Sequence, residues 1–266
     1  MTRCVTPHAG GSIRIGYRSP QLSHTCSTAD KISLAQELGC ACIEPQVNRL
    51  ELTSVAAAAE LGAAARAGGI SAETFGCDLP LLGSDEQALA QAIDDMAAIA
   101  QALGANYVFT RVLVDELCPQ GDLWQRLARN LPAAVARCTA GGVALSLEAD
   151  GGTFVTSLER MERALDLADG ALANFDPCNL YLAGSDPLLA VQRLAPRIRS
   201  GHIKDGVYGQ HEVPVGSGEL DWAGILDAMV EAGIDATMHV EHCKQPDQVR
   251  SAIAHLRTVM PALAVC

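Results

Sequence analysis

Residues 143–152 read Val143-Ala144-Leu145-Ser146-Leu147-Glu148-Ala149-Asp150-Gly151-Gly152, a short apolar run that ends on an acid and breaks into a glycine turn. Thr156 and Glu159 follow at capping spacing and open an amphipathic stretch. Strand, turn and helix in that order make one βα unit, and the unit recurs. Apolar runs begin near Ser12, Cys40, Ile70, Asn106, Val143, Leu172, Ile198 and Ala236, at intervals of roughly 30 residues. Ser27 with Asp30 and Ser84 with Gln87 repeat the capping signal. Gly39, Gly68-Gly69, Gly104, Gly141-Gly142 and Gly233 read as helix stops. Between Ser84 and Leu103, Leu89, Ile93, Met96, Ile99 and Ala100 fall at helical spacing, with acids on the other face.

Eight strands alternating with eight helices, with no linker between them, predict an α/β fold, one (β/α)8 TIM barrel over residues 1–266. Residues 1–11 read as a flexible N-terminal extension of that barrel. An open doubly wound sheet fits less well, because the first strand, Ile13-Arg14-Ile15-Gly16-Tyr17, carries no G-x-G-x-x-G fingerprint. Asp and Glu exceed Lys and Arg by 12, a poor footing for gripping a phosphate backbone, so no nucleic-acid partner is expected. No apolar run of membrane-spanning length occurs, and Met1 to Ser12 lacks the pattern of a secretory leader, which points to a cytoplasmic protein without a membrane partner. The 10 cysteines are scattered. Cys40 and Cys42 are the closest pair, no C-x-x-C is present, and buried thiols in a reducing compartment are the expectation.

In barrels of this kind the chemistry sits where the strands end and the βα loops begin. The fifth run ends in Leu147-Glu148, the sixth in Phe175-Asp176, the seventh in Gly201-His202 and the eighth in Val240-Glu241. Side chains alternate faces with period two, so apolar neighbours packing outward turn Glu148, Asp176, His202 and Glu241 into the barrel. Three carboxylates converging in a low-dielectric pocket repel one another, and a divalent cation resolves the conflict. One imidazole with three carboxylates is a hard, mostly oxygen donor set. It suits Mn²⁺ first, with Mg²⁺ or Co²⁺ as alternatives.

These segments resemble the sugar isomerase/epimerase superfamily with the xylose isomerase-like barrel, which includes ketose 3-epimerases, hydroxypyruvate isomerase and inosose dehydratase. The resemblance is carried by Leu147-Glu148 with Gly151-Gly152, and by Asn174-Phe175-Asp176-Pro177-Cys178-Asn179-Leu180. It continues through Gly201-His202-Ile203-Lys204-Asp205-Gly206, Pro214-Val215-Gly216-Ser217-Gly218 and Val240-Glu241-His242. It implies that Glu148, Asp176, His202 and Glu241 are metal ligands and that Glu148 and Glu241 double as the catalytic proton-transfer pair. The implied activity is a metal-dependent isomerase or epimerase acting on a sugar or polyol carbonyl through an enediolate. A dehydratase of the inosose type is the runner-up, since it shares the first step. The DNA-repair endonuclease branch is remote, because the second and third runs end without histidine and the charge is negative. A non-catalytic binding barrel is set against four intact ligand positions. The resemblance also implies a homo-oligomer, dimer or tetramer. One departure stands out: many ketose 3-epimerases carry His three residues after the aspartate, where this chain has Asn179, which cannot carry a proton at neutral pH.

Four further residues are expected to contact substrate: Asn179, Lys204, Glu44 and Arg111. Lys204 shares the inward parity of His202, with an ion pair at the barrel mouth as the alternative role. Glu44 and Arg111 lie near the ends of the second and fourth runs. His239 is inward but two residues deeper than Glu241 and reads as a satisfied core histidine, while His242 is expected to point away from the site. Cys178 and Cys243 adjoin the site with nothing nearby to activate a thiolate.

Overall fold

Short apolar runs alternating with capped helices produce the architecture that their spacing implies. The computed structural model describes residues 11–48, 50–114 and 123–260, so residues 1–10 of the expected N-terminal extension lie outside the described residues. The barrel strands are β1 (Ser12–Arg18), β2 (Cys42–Glu44), β3 (Thr74–Gly76), β4 (Tyr107–Arg111), β5 (Ala144–Glu148), β6 (Leu172–Phe175), β7 (Ile198–Ile203) and β10 (Asp235–Val240). A two-stranded antiparallel hairpin, β8 (Asp205–Gly206) with β9 (Glu212–Val213), follows β7. The helices are α1 (Thr28–Glu37), α2 (Val55–Ala67), α3 (Glu86–Leu103), α4 (Leu123–Ala140), α5 (Leu158–Leu165), α6 (Pro177–Leu182), α7 (Pro187–Leu194), α8 (Trp222–Glu231) and α9 (Pro246–Val259).

The eight parallel strands run in the order β2-β1-β10-β7-β6-β5-β4-β3. Bridges between Cys42 and Ser71 and between Gln46 and Gly76 close the ring, with Ile43 N donating to Ser71 O and Gly76 N to Pro45 O, each at 2.9 Å. Register sets the level of the site: Glu148 pairs with Arg111 on one side and Asn174 on the other, and His202 pairs with His239. A Cβ at Gly201 would stand 2.2 Å from the carbonyl oxygen of Phe175, so only glycine lets β7 approach β6 where His202 begins.

Outward side chains such as Ile43, Val108, Leu145 and Leu147 are buried under the helices and make the main apolar core. The inner face is polar. Ser200 Oγ donates to Asn174 Oδ1 at 2.6 Å, Ser146 Oγ donates to Val108 O at 3.0 Å, and Thr74 and Thr237 hydroxyls meet at 3.4 Å, all without solvent. These buried hydroxyl and amide groups are tolerated there because each finds a partner.

The expected capping box at Ser27 and Asp30 is present. Two other starts shift by one residue. Asp85, not Ser84, caps α3 by accepting from Gln87 N and Ala88 N, and Ser157, not Thr156, caps α5. Gly104 and Gly142 stop α3 and α4 with φ of 83° and 80°, which a side chain would strain. The crossover from β6 to β7 uses two helices, and the β8–β9 hairpin is too short for periodicity to announce it.

Candidate active site

Parity and register bring the four strand-end residues together. Glu148 ends β5, Asp176 follows β6, His202 lies in β7 and Glu241 follows β10, and all four are buried. Nδ1 of His202 is 2.9 Å from Glu148 Oε1, 3.7 Å from Asp176 Oδ2 and 3.8 Å from Glu241 Oε2. Asp176 divides its carboxylate between fold and site. Oδ1 accepts from Asn179 N at 2.9 Å and caps α6 ahead of Pro177, while Oδ2 faces the cluster. The D-P pair in the sequence is therefore a helix start that also delivers a site oxygen.

Cations balance the acids. Lys204 Nζ lies 2.5 Å from Glu241 Oε1, 2.7 Å from Glu212 Oε1 and 2.9 Å from Asp176 Oδ2. Arg18, from the end of β1, stands 3.1 Å from Glu44 Oε1 through Nε and donates to Glu241 Oε2 at 3.0 Å and Gln46 Oε1 at 2.8 Å. Its guanidinium also covers the ring of Phe109. Burial opposes ionisation of Glu241, but Lys204, His202 and Arg18 outweigh it and hold this carboxyl well below the usual range. Burial raises Glu148, and Asp176 and Glu241 add to that rise against the pull of His202. Burial also opposes a charge on His202, yet Glu148, Glu44 and Glu241 together hold the imidazole well above its ordinary value.

All four residues expected to contact substrate are committed to protein partners in part or in full. Asn179 Nδ2 donates to Ala149 O at 2.9 Å and lies 3.4 Å from Glu148 Oε1, so its amide steadies Glu148. Glu44 is fully buried behind His202 rather than at the rim, and a direct substrate contact does not fit that placement. Lys204 is enclosed by its three carboxylates and still lines the cavity. Arg111 forks onto Asp78 at 3.1 and 2.7 Å and reaches Asp150 at 3.4 Å, also on the cavity wall.

Two histidines depart from the reading of the sequence. His239 is fully buried, but among the described residues neither ring nitrogen has an aligned hydrogen-bond partner, although Nδ1 lies 3.2 Å from Glu44 Oε2. Burial opposes its protonation, while Cys42 and Glu44 overcome it and push the pKa up to about 10. His242 turns toward the mouth instead of away. Its φ of 61° breaks the strand alternation after Val240 and brings Nε2 to 3.1 Å from Glu212 Oε2. Arg18, Gln46, Phe109 and Glu212 were not anticipated. Arg18 shares the inward parity of Gly16 at the end of its strand, which was a usable signal.

The cluster lies beneath a cavity of about 780 Å³ whose lining includes Arg18, Phe109, Arg111, Glu148, Lys204 and Glu241. Donor atoms of Glu148, Asp176 and His202 all lie within 4.8 Å of one another. Asp176 Oδ2 is buried and has no aligned hydrogen-bond partner among the described residues, although Lys204 Nζ is close. A buried carboxylate oxygen left in that state beside two further donors fits a divalent cation, and the oxygen-rich set is that of a hard metal.

The family model described as xylose isomerase-like TIM barrel matches residues 32–259. An inosose dehydratase of Lacticaseibacillus casei is 30% identical over an alignment covering 47% of this chain and 49% of that one. The chain spans about half the length of the curated relatives it matches. Among solved structures, 3-keto-D-glucoside 4-epimerase from E. coli superposes with a TM-score of 0.75 at 16% identity, covering 93% of this chain and 100% of that one. The zinc-containing IolI protein superposes with a TM-score of 0.77 at 16% identity, covering 94% and 98%. At those identities the structural likeness is one of fold.

Proposed function

Because this chain belongs to the xylose isomerase-like TIM barrel family, we propose that it is a divalent-metal-dependent sugar isomerase or epimerase that moves a proton beside the carbonyl of a ketose or related polyol. The observation that carries this reading is the convergence of Glu148, Asp176 and His202 donors within 4.8 Å, beneath a cavity lined by both Glu148 and Glu241. Glu148, Asp176, His202 and Glu241 would hold the cation, Mn²⁺ suiting the donors best and Mg²⁺ or Co²⁺ being the alternatives. When bound, such a cation polarises the substrate carbonyl and stabilises the negative charge that develops as the proton leaves.

The remaining work falls to side chains. Glu148 and Glu241 come from strands separated by β6 and β7, so one can take a proton from a substrate carbon and the other return it. Asn179 and His202 hold the Glu148 carboxylate, and Lys204 and Arg18 hold the two oxygens of Glu241. Arg18, Lys204 and Arg111 place positive charge on the cavity wall, where hydroxyl and carbonyl oxygens of a polyol can be oriented.

A dehydratase is the second reading, favoured by the 30% identity to inosose dehydratase. It would begin with the same proton removal and then lose a β-hydroxyl as water. The test is deuterium incorporation. A panel of ketoses and keto-inositols is incubated with the Mn²⁺-loaded protein in D₂O, stripped of metal and read by proton NMR. Deuterium beside the carbonyl, lost in Glu241→Gln, is the expected result. A hydroxylated product then identifies an epimerase or isomerase, and loss of water a dehydratase. No exchange in any substrate despite a bound metal would overturn the substrate class.

A further inference from the structure

The edge of His202 turned away from the cluster is as closely held as the edge turned toward it. Nε2 lies 2.9 Å from Glu44 Oε1, while Nδ1 faces Glu148, Asp176 and Glu241. The ring is fixed in its plane as well. Phe109 meets it edge to face at 5.0 Å between centroids, and Asn174 Nδ2 stands 3.3 and 3.4 Å from the two nitrogens. Glu44 is anchored in turn. Arg18 Nε is 3.1 Å from its Oε1, His239 Nδ1 is 3.2 Å from its Oε2, and its backbone carbonyl accepts from Ser19 N. Glu44 is fully buried and touches no solvent, so substrate has no path to it.

We infer that Glu44 is a positioning residue that fixes the tautomer of His202 by accepting its Nε2–H, so that Nδ1 presents a lone pair to the cation. This rests on the proposed reading that Glu148, Asp176, His202 and Glu241 hold a divalent metal. A neutral imidazole carries one N–H, and the partner of that N–H decides which nitrogen is left to ligate. A carboxylate in that place also raises the basicity of the ligating nitrogen, and losing such a partner weakens metal affinity by about 10–100-fold. The four ligands are each legible at a strand end, whereas this support comes from the opposite side of the barrel, on β2.

The test reads metal affinity rather than turnover. Mn²⁺ binding is measured by equilibrium dialysis for the wild type, Glu44→Ala and Glu44→Gln, with circular dichroism to confirm folding. Glu44→Ala is expected to bind about 10–100-fold more weakly. Glu44→Gln keeps an oxygen that can accept Nε2–H and is expected to recover part of that loss. Equal affinity of Glu44→Ala and wild type, or equal weakening in both variants, would overturn the positioning role. Should Glu44→Ala fail to fold, ¹⁵N NMR of the Zn²⁺-loaded wild type decides. A proton on Nε2 of His202 supports the assignment, and a proton on Nδ1 overturns it. A wild type that binds no divalent cation overturns the underlying metal reading together with this inference.

Discussion

Arg18 Nη1 donates to Glu241 Oε2 at 3.0 Å and so ties the end of β1 to the end of β10. The same guanidinium reaches Glu44 through Nε at 3.1 Å, so one cation serves two buried carboxylates on different strands. Lysine offers the charge without the planar fork that spans both acids. Arg18→Met leaves two buried acids with one counter-charge fewer, and its expected cost in the metal-free protein is about 3–5 kcal/mol. Arg18→Lys should cost clearly less. Urea unfolding of the three proteins checks this, and equal losses would show that the fork and the packing on Phe109 matter more than the charge.

The two thiols beside the site, Cys178 and Cys243, are poor nucleophiles because burial and neighbouring carboxylates raise both, which favours carboxylate over cysteine chemistry. Burial pushes Cys243 up to about 12, with Glu241 adding to it, and burial does the same for Cys40 and Cys138. A raised thiol pKa means fewer thiolates at any working pH, roughly one in ten thousand at pH 8. Iodoacetamide at pH 8 should therefore leave peptides containing Cys40, Cys138 and Cys243 unmodified in the folded protein and label them fully in urea. Moving from pH 7 to pH 9 should not change the folded pattern. Rapid native labelling of Cys243 would contradict the burial assigned to it.

Period-two alternation made Glu148, Asp176, His202 and Glu241 legible, because each ends an apolar strand whose neighbours pack on helices. Where that alternation stops, legibility stops with it. His242 takes φ of 61°, so counting parity past Val240 sends it to the wrong side. Glu212 sits on a strand of two residues, too short to show any period, and yet it is 2.7 Å from Lys204. Glu44 was visible as a strand-end acid, but the direction of its carboxylate depends on His202 and His239, which arrive from strands far along the chain. Asn179 was seen as a departure from a family pattern, while the acceptor of its amide, Ala149 O, belongs to the preceding loop.

The start of α3 distinguishes motif from geometry. Ser84 has capping-box spacing to Gln87, but Asp85 accepts from Gln87 N at 2.9 Å and Ala88 N at 3.0 Å. Asp85→Ala is expected to lower stability by about 0.5–2 kcal/mol, since two amides at a helix N-terminus lose their acceptor. Ser84→Ala should change it by only a few tenths. Thermal or urea unfolding separates the two, and a larger effect at Ser84 would move the cap back to the residue that the sequence motif suggests.

Metal binding should be visible in stability before any substrate is known. A cation that binds only the folded chain stabilises it by about 2.7 kcal/mol at a hundredfold excess over its dissociation constant. For a chain of this size that raises the unfolding midpoint by about 5–10 °C. Mn²⁺ should produce the rise and a chelator should abolish it. Asp176→Asn is the informative variant, because asparagine caps a helix about as well as aspartate and α6 keeps its start. The variant should therefore melt close to the metal-free wild type yet gain little or nothing from Mn²⁺. A full Mn²⁺ shift in Asp176→Asn would remove Asp176 from the ligand set. No shift in the wild type would count against the cation altogether, and the clustered carboxylates would then be balanced by Arg18, Lys204 and a protonated His202 alone.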